Sequence, residues 1–180
     1  GCFLEELEML LRFTPWPAIT LAIVLPALAY GGLRLAIFTL LGVTFWGMVD
    51  MWDSAMSTLA LMTVSVTFSV VGGIALGVMS SQSDRFESFL KPVLDTMQTM
   101  PAFVYLIPAI FFFGIGGPSA TMAIIIYAMP PSVRLTNLGI RQVPETTIEA
   151  AQSFGSTSRQ LLWKVQIPQA MPSIMLGINQ

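Results

Sequence analysis

Between Asp53 and Asp84 the chain runs for 30 residues without a charged side chain, and between Asp95 and Arg134 it runs for 38. A helix needs roughly 20 mostly apolar residues to cross the hydrocarbon core of a bilayer, whereas helices of soluble domains average about 12 residues. Further charge-free stretches cover residues 13–33, 35–49 and 165–180. Only 10% of the 180 residues are charged and 54% are apolar, against about 25% charged in ordinary soluble domains. The expected fold class is therefore an all-α membrane protein, a polytopic helical bundle.

The same composition excludes several kinds of chemistry. With a net charge of -2 and no basic cluster, the electrostatic footprint of a nucleic-acid binder is missing, so no nucleic-acid partner is expected. The chain has no histidine and one cysteine, which leaves no standard zinc, haem or iron–sulfur ligand set and no Cys/His or Ser/His nucleophile. Cys2 is read as a lone thiol near a chain end, and no metal or catalytic residue is expected. The start at Gly1 and the stop at Gln180 inside an apolar run point to a piece of a longer protein.

Residues 1–15 read as an extracytoplasmic tail. Residues 16–53 read as one or two extra amino-terminal spans, because Gly31-Gly32-Leu33-Arg34 supplies either a tight turn or a break; two short spans are the preferred reading. Trp46 and Trp52 stand where interfacial aromatic belts lie. Within the span beginning near Ala55, residues 63–70 alternate with period two. A lone strand cannot sit in lipid, so a helix is expected, with Ser and Thr hydroxyls bonding to the preceding turn. Gly73 and Gly77 read as a close-packing pair.

Phe86, Phe89, Leu90, Val93, Leu94 and Met97 then recur at helical spacing opposite Asp84, Arg85, Glu87, Lys91 and Asp95. That is an amphipathic stripe, expected to kink or restart near Pro92. The 38-residue run reads as a helical hairpin turning at Gly114-Ile115-Gly116-Gly117-Pro118. Its first arm covers about residues 99–113, and its second covers about residues 119–137 with an interruption at Pro130-Pro131. Placing residues 134–164 in the cytoplasm puts Arg34, Arg85, Lys91, Arg134, Arg141, Arg159 and Lys164 inside and only Arg12 outside, as the positive-inside rule favours.

The polar segment that follows has its own helical punctuation. Pro144 suits a first helical turn, Glu145 and Glu149 lie toward that positive end, and Gly155 tolerates a terminating positive φ. Ser156 is expected to cap a second helix that carries Arg159 and Lys164 and stops at Pro168. A helix, glycine turn and helix exposed between spans suggests a docking surface.

Glu149-Ala150-Ala151, three residues, Gly155, nine residues and Val165-Gln166-Ile167-Pro168 resemble the EAA signature of ABC importer permeases. Residues 94–116, 129–144 and 153–180 are further similar to the permease subunit of glycine betaine/proline importers. The resemblance covers about residues 55–180. It implies the type I, methionine-permease-like transmembrane domain over residues 54–180, truncated at its carboxyl end, with a cytoplasmic coupling loop at 138–165.

The resemblance also implies roles and partners. Glu149 would orient the first coupling helix, Ala150 and Ala151 would permit close approach, and Gly155 would permit the sharp turn, with Arg159 and Pro168 in the second half of the docking loop. The implied partners are a cytoplasmic ABC ATPase subunit, an extracytoplasmic substrate-binding protein, a second copy of the permease and the lipid bilayer. The implied location is the inner membrane of a bacterium or archaeon. Gly-Lys never occurs in the chain, so it holds no P-loop. No cofactor is expected on this chain, and ATP and Mg are expected on the ATPase. Met97, Tyr105 and Phe112 are candidate residues of the translocation path, although helix packing in lipid explains them equally well. An ion-coupled carrier or channel is the competing reading, but only Arg34 and Asp95 approach the ionisable positions that such proteins use.

Overall fold

The computed structural model describes residues 2–180, with side chains described from Leu4 onward; the Cys2 thiol lies outside the described side chains. Two compact units are present, residues 1–64 and 65–180. The described elements are all helical: α1 (Cys2–Phe13), α2 (Trp16–Met48), α3 (Trp52–Ser81), α4 (Asp84–Thr99), α5 (Ala102–Phe113), α6 (Gly117–Arg141), α7 (Glu145–Ser153), α8 (Ser158–Leu161), a π turn (Leu162–Gln166) and α9 (Ile167–Ile178). Helix α3 begins in the first unit and ends in the second.

In the first unit α2 is broken at Gly32, whose φ of 75° and ψ of -177° are not helical. A straight helix would hold Trp16 and Met48 about 48 Å apart at ~1.5 Å per residue. Instead Trp16, Thr20, Val43, Thr44 and Met48 line one cleft, so the chain folds back on itself at Gly32. Each arm is about 16 residues, or ~24 Å. Leu4, Leu7 and Leu11 of α1 pack against Ala60, Leu61 and Val64 of α3. Beside them Arg12 pairs with Glu8 at 2.9 Å and donates to Ser57 Oγ at 2.8 Å.

The second unit is built around α6. On one side α3 approaches it through Gly73 and Gly77: a Cβ on Gly73 would fall 2.5 Å from Ser132 Cβ, and one on Gly77 2.8 Å from the Val133 carbonyl. The close-packing role expected of this pair is thus realised within the chain, and lipid offers no hydrophobic drive that would substitute for it. Ser65, Ser69 and Ser80 continue the same buried edge of α3. The period-two stretch is helical, with Thr63 Oγ1 donating to the Leu59 carbonyl at 2.7 Å and Ser69 Oγ to that of Ser65 at 2.8 Å. Against α9, Gly139 abuts Ala170 and Ser173, Gly177 abuts Ser132 and Leu135, and Ser132 Oγ donates to the Gly177 carbonyl at 3.3 Å.

Prolines act differently from the sequence expectation. The interruption expected at Pro130-Pro131 does not occur, since both residues lie inside α6. Their fixed φ near -65° is already helical, and packing holds the segment: Pro130 is fully buried, and the Pro131 carbonyl lies against Gly177. Helix α4 likewise passes through Pro92. The sharp change of direction falls at Met100-Pro101, where α4 and α5 meet at 97°. The residue before a proline is pushed out of the helical region, and Met100 has a ψ of 135°.

The start of α4 is clamped to α6. Arg141 pairs with Asp84 at 2.7 Å and Glu87 at 3.1 Å and also donates to the Ser80 carbonyl. Asn137 and Lys91 both reach Glu87, and Arg134 pairs with Asp95. The Glu87 carboxyl is held below its usual value of 4.5 first by the Lys91 hydrogen bond, against the opposing effect of burial, and further by Asn137 and Arg141. A depressed carboxyl pKa stabilises the fold above the unfolded pKa, and that stability disappears as pH falls through the lower folded value. The gap in unfolding temperature between the wild type and Glu87→Gln is therefore expected to narrow as pH is lowered from about 6 to about 3.5. Thermal unfolding of the detergent-solubilised protein across that range checks it, and a constant gap would contradict it.

Candidate functional site

The exposed segment between α6 and α9 is a preorganised knob. Pro144 precedes α7 with φ -56° and ψ 134°, a geometry that hands the chain into a first helical turn. Of the two acids expected at the positive end, only Glu145 lies in the first turn. Glu149 is one turn further, beyond the short range of the end effect. The helix ends in a double hydrogen-bond closure: Ser156 N–H donates to the Ala151 carbonyl at 3.2 Å and Gly155 N–H to that of Gln152 at 2.8 Å. This Schellman arrangement needs a left-handed residue at its turning point, and Gly155 supplies it with φ 81°.

The second helix starts one residue later than expected. Thr157, not Ser156, is the cap: its hydroxyl accepts from Gln160 N–H while Gln160 Oε1 accepts from Thr157 N–H. The threonine-to-glutamine spacing satisfies two backbone donors reciprocally, and the Ser156 N–H is already engaged in closing α7. Nor does this helix stop at Pro168. It passes through the π turn at 162–166, where Ile167 N–H reaches back to the Leu162 carbonyl, and continues as α9. Pro168 has no N–H to offer, and it stands directly after the π turn, where the regular α pattern of hydrogen bonds is already interrupted. At the knob's base Leu162 and Ile167 pack on Ile140, Ala170 and Ile174 together with Ile74 and Val78. The base is thus bound to α3, α6 and α9, while the tip is free.

Glu149, Ala150, Gly155, Arg159 and Pro168 are exposed and Ala151 is half-buried, so the expected docking residues occupy one exposed unit. Glu145, Glu149, Arg159 and Lys164 form none of the ion pairs found among the described residues. Phe154, directly before the turn glycine, is 91% exposed at the tip. An aromatic side chain between polar neighbours and directly before the turn glycine is the signal that marks it.

The three candidate path residues are not gathered into one site. Met97 packs with Leu90, Leu94 and Val133. Tyr105 Oη donates to the Met97 carbonyl at 3.0 Å, bracing the bend between α4 and α5. Phe112 is exposed near the other end of α5, edge-on to Phe111 with centroids 5.8 Å apart. Among the described residues no cluster of metal-binding side chains occurs.

Residues 69–178 match the family described as binding-protein-dependent transport system inner membrane component. The chain belongs to this family. It is accordingly an all-helical integral membrane protein, and the match spans the packed α3–α6–α9 core and the whole knob. The chain is 48% identical over 166 residues to the glycine betaine transport system permease protein OpuAB of Bacillus subtilis, covering 91% of this chain and 59% of that one. It is 44% identical over 177 residues to the glycine betaine/proline betaine transport system permease protein ProW of Escherichia coli, covering 98% and 50%. With the glycine betaine/carnitine transport permease protein GbuB of Listeria monocytogenes it shares 53% identity over 146 residues, covering 81% and 52%. The chain spans about half the length of the curated relatives it matches. These relatives are transport permeases, and the family is a non-catalytic transport component.

Proposed function

We propose that this chain is the multi-pass permease subunit of an ATP-driven importer in a bacterial or archaeal inner membrane. Its cargo is a compatible solute such as glycine betaine, proline betaine or proline, delivered by an extracytoplasmic binding protein. A separate ABC ATPase docks on the knob at 145–165 and carries the ATP and Mg, this chain itself holds no cofactor, and a second permease copy completes the path. Supporting this is one observation above all: the E-A-A-x3-G segment is an exposed, capped knob whose base is packed onto α3, α6 and α9. Displacing the tip therefore displaces α3, α6 and α9 together. The names of the similar permeases support the choice of solute. Met97, Tyr105 and Phe112 remain the proposed path residues, Met97 packed on the α4–α6 cluster and Tyr105 bracing the bend between α4 and α5.

The test is uptake of labelled glycine betaine by cells lacking their own osmolyte importers and expressing the complete transporter. Uptake is expected to require permease, ATPase and binding protein together. Uptake that persists without the ATPase would instead identify a carrier or channel.

A further inference from the structure

Resting on the docking reading above, we infer that Phe154 is the anchor of that surface, seated in an apolar pocket of the ATPase whose rim is basic toward α7 and acidic toward α8 and the π turn. Three observations carry this. First, Phe154 is 91% exposed, yet its backbone is fixed: it lies between the end of α7 and Gly155, and its N–H donates to the Ala150 carbonyl at 3.2 Å. A large aromatic held rigidly on a polar projection loses little freedom when it is buried by a partner, and aromatic side chains of this kind dominate binding energy at interfaces.

Second, Glu145 and Glu149 stand four residues apart on one helix. Like charges at that spacing repel across a single face, and neither acid has an ion-pair partner among the described residues. Third, Arg159 and Lys164 lie beyond the turn, exposed and equally without an acidic partner among the described residues. The chain's ion pairs elsewhere are made readily, including five contacts by Arg12, Lys91, Arg134 and Arg141. The knob instead keeps its acids and bases apart on successive helices, flanking one exposed ring. Opposed charges arranged in this way set the orientation in which a partner can approach.

The experiment measures retention of the ATPase on tagged permease in the complete transporter, with Phe154→Ala, Phe154→Leu and Gly155→Val compared with wild type. Phe154→Ala is expected to weaken association about 30-fold, which corresponds to ~2 kcal/mol, while Phe154→Leu stays within about threefold because it still fills an apolar pocket. Permease level and unfolding temperature should not change, since the side chain touches little of its own chain. Wild-type retention by Phe154→Ala, with Gly155→Val losing the ATPase, would overturn the anchor and leave the docking surface. Wild-type retention by both would overturn the docking reading itself. Loss of uptake in Phe154→Ala with the ATPase fully retained would also overturn the anchor.

Discussion

Gly155→Val is expected to bring ATP-driven uptake down to background while the permease stays in the membrane at its normal level. The reason lies in the backbone: Gly155 has φ 81°, and a Cβ there would meet nothing within 4 Å. Steric crowding is therefore absent, and the whole penalty is conformational. Left-handed geometry costs an ordinary residue roughly 1–2 kcal/mol, and more for a β-branched one. Relief of that strain means opening the two hydrogen bonds from Ser156 and Gly155 that close α7, which turns the second half of the knob away from the first. Gly155→Asn provides the contrast, because asparagine tolerates this region; it is expected to keep most of the uptake. Initial rates of labelled glycine betaine uptake, normalised to permease level, decide the matter. An asparagine variant as inactive as the valine one would show that bare space at Gly155, rather than its φ, is what transport needs.

At Gly77 the expected effect is on assembly rather than coupling. A Cβ there would lie 2.6 Å from Thr136 Cβ and 2.8 Å from the Val133 carbonyl oxygen. The second contact is from a Cβ fixed by the backbone to a backbone oxygen, so no side-chain rotation relieves it, and α3 must retreat from α6. Overpacking of this kind costs about 1–3 kcal/mol for small additions, and separation also weakens the seam at Gly73 and Ser132. Gly77→Ala should lower the unfolding temperature of the detergent-solubilised protein measurably. Gly77→Leu should leave little folded permease by fluorescence-detected size exclusion. Gly47→Ala, where a Cβ meets nothing, is the matched control and should be neutral or slightly stabilising, since alanine favours helix. An unaltered profile for Gly77→Leu would mean that the α3–α6 contact is not needed for the fold.

Much of this architecture is written locally in the chain. The apolar runs, the amphipathic stripe of α4, Pro144 at the start of α7 and Gly155 at its end each express a rule acting over one or two helical turns. The features that escaped are set by distant partners. Pro130 and Pro131 look like breakers in isolation, and only packing by Gly177 and its neighbours shows why the helix runs on. The clamp on Glu87 joins residues 50 positions apart through Asn137, and nothing in either local segment announces the other. Ser156 and Thr157 are equally good caps by residue type; the choice is made by the Ser156 N–H, already committed to Ala151, and by Gln160 standing at the right distance from Thr157. The residue type and place of Phe154 are local, but its exposure is a property of the folded tip.

The π turn makes the stretch from Gly155 to Pro168 a matter of angular phase. A residue wound into an α-helix advances its faces by about 100°, and a π turn is one residue accommodated in excess of the α pattern. With it in place, Ala170, Ile174 and Gly177 face inward and are buried. Shortening residues 162–166 by one would remove that excess residue, so the rod would become uniformly α-helical with those three still facing inward, whereas the same deletion within α9 itself would turn the faces beyond it by about 100°. The π turn thus works like the slack loop in a drive belt: it takes up one residue between the turn glycine and the proline without changing which side of α9 meets α6.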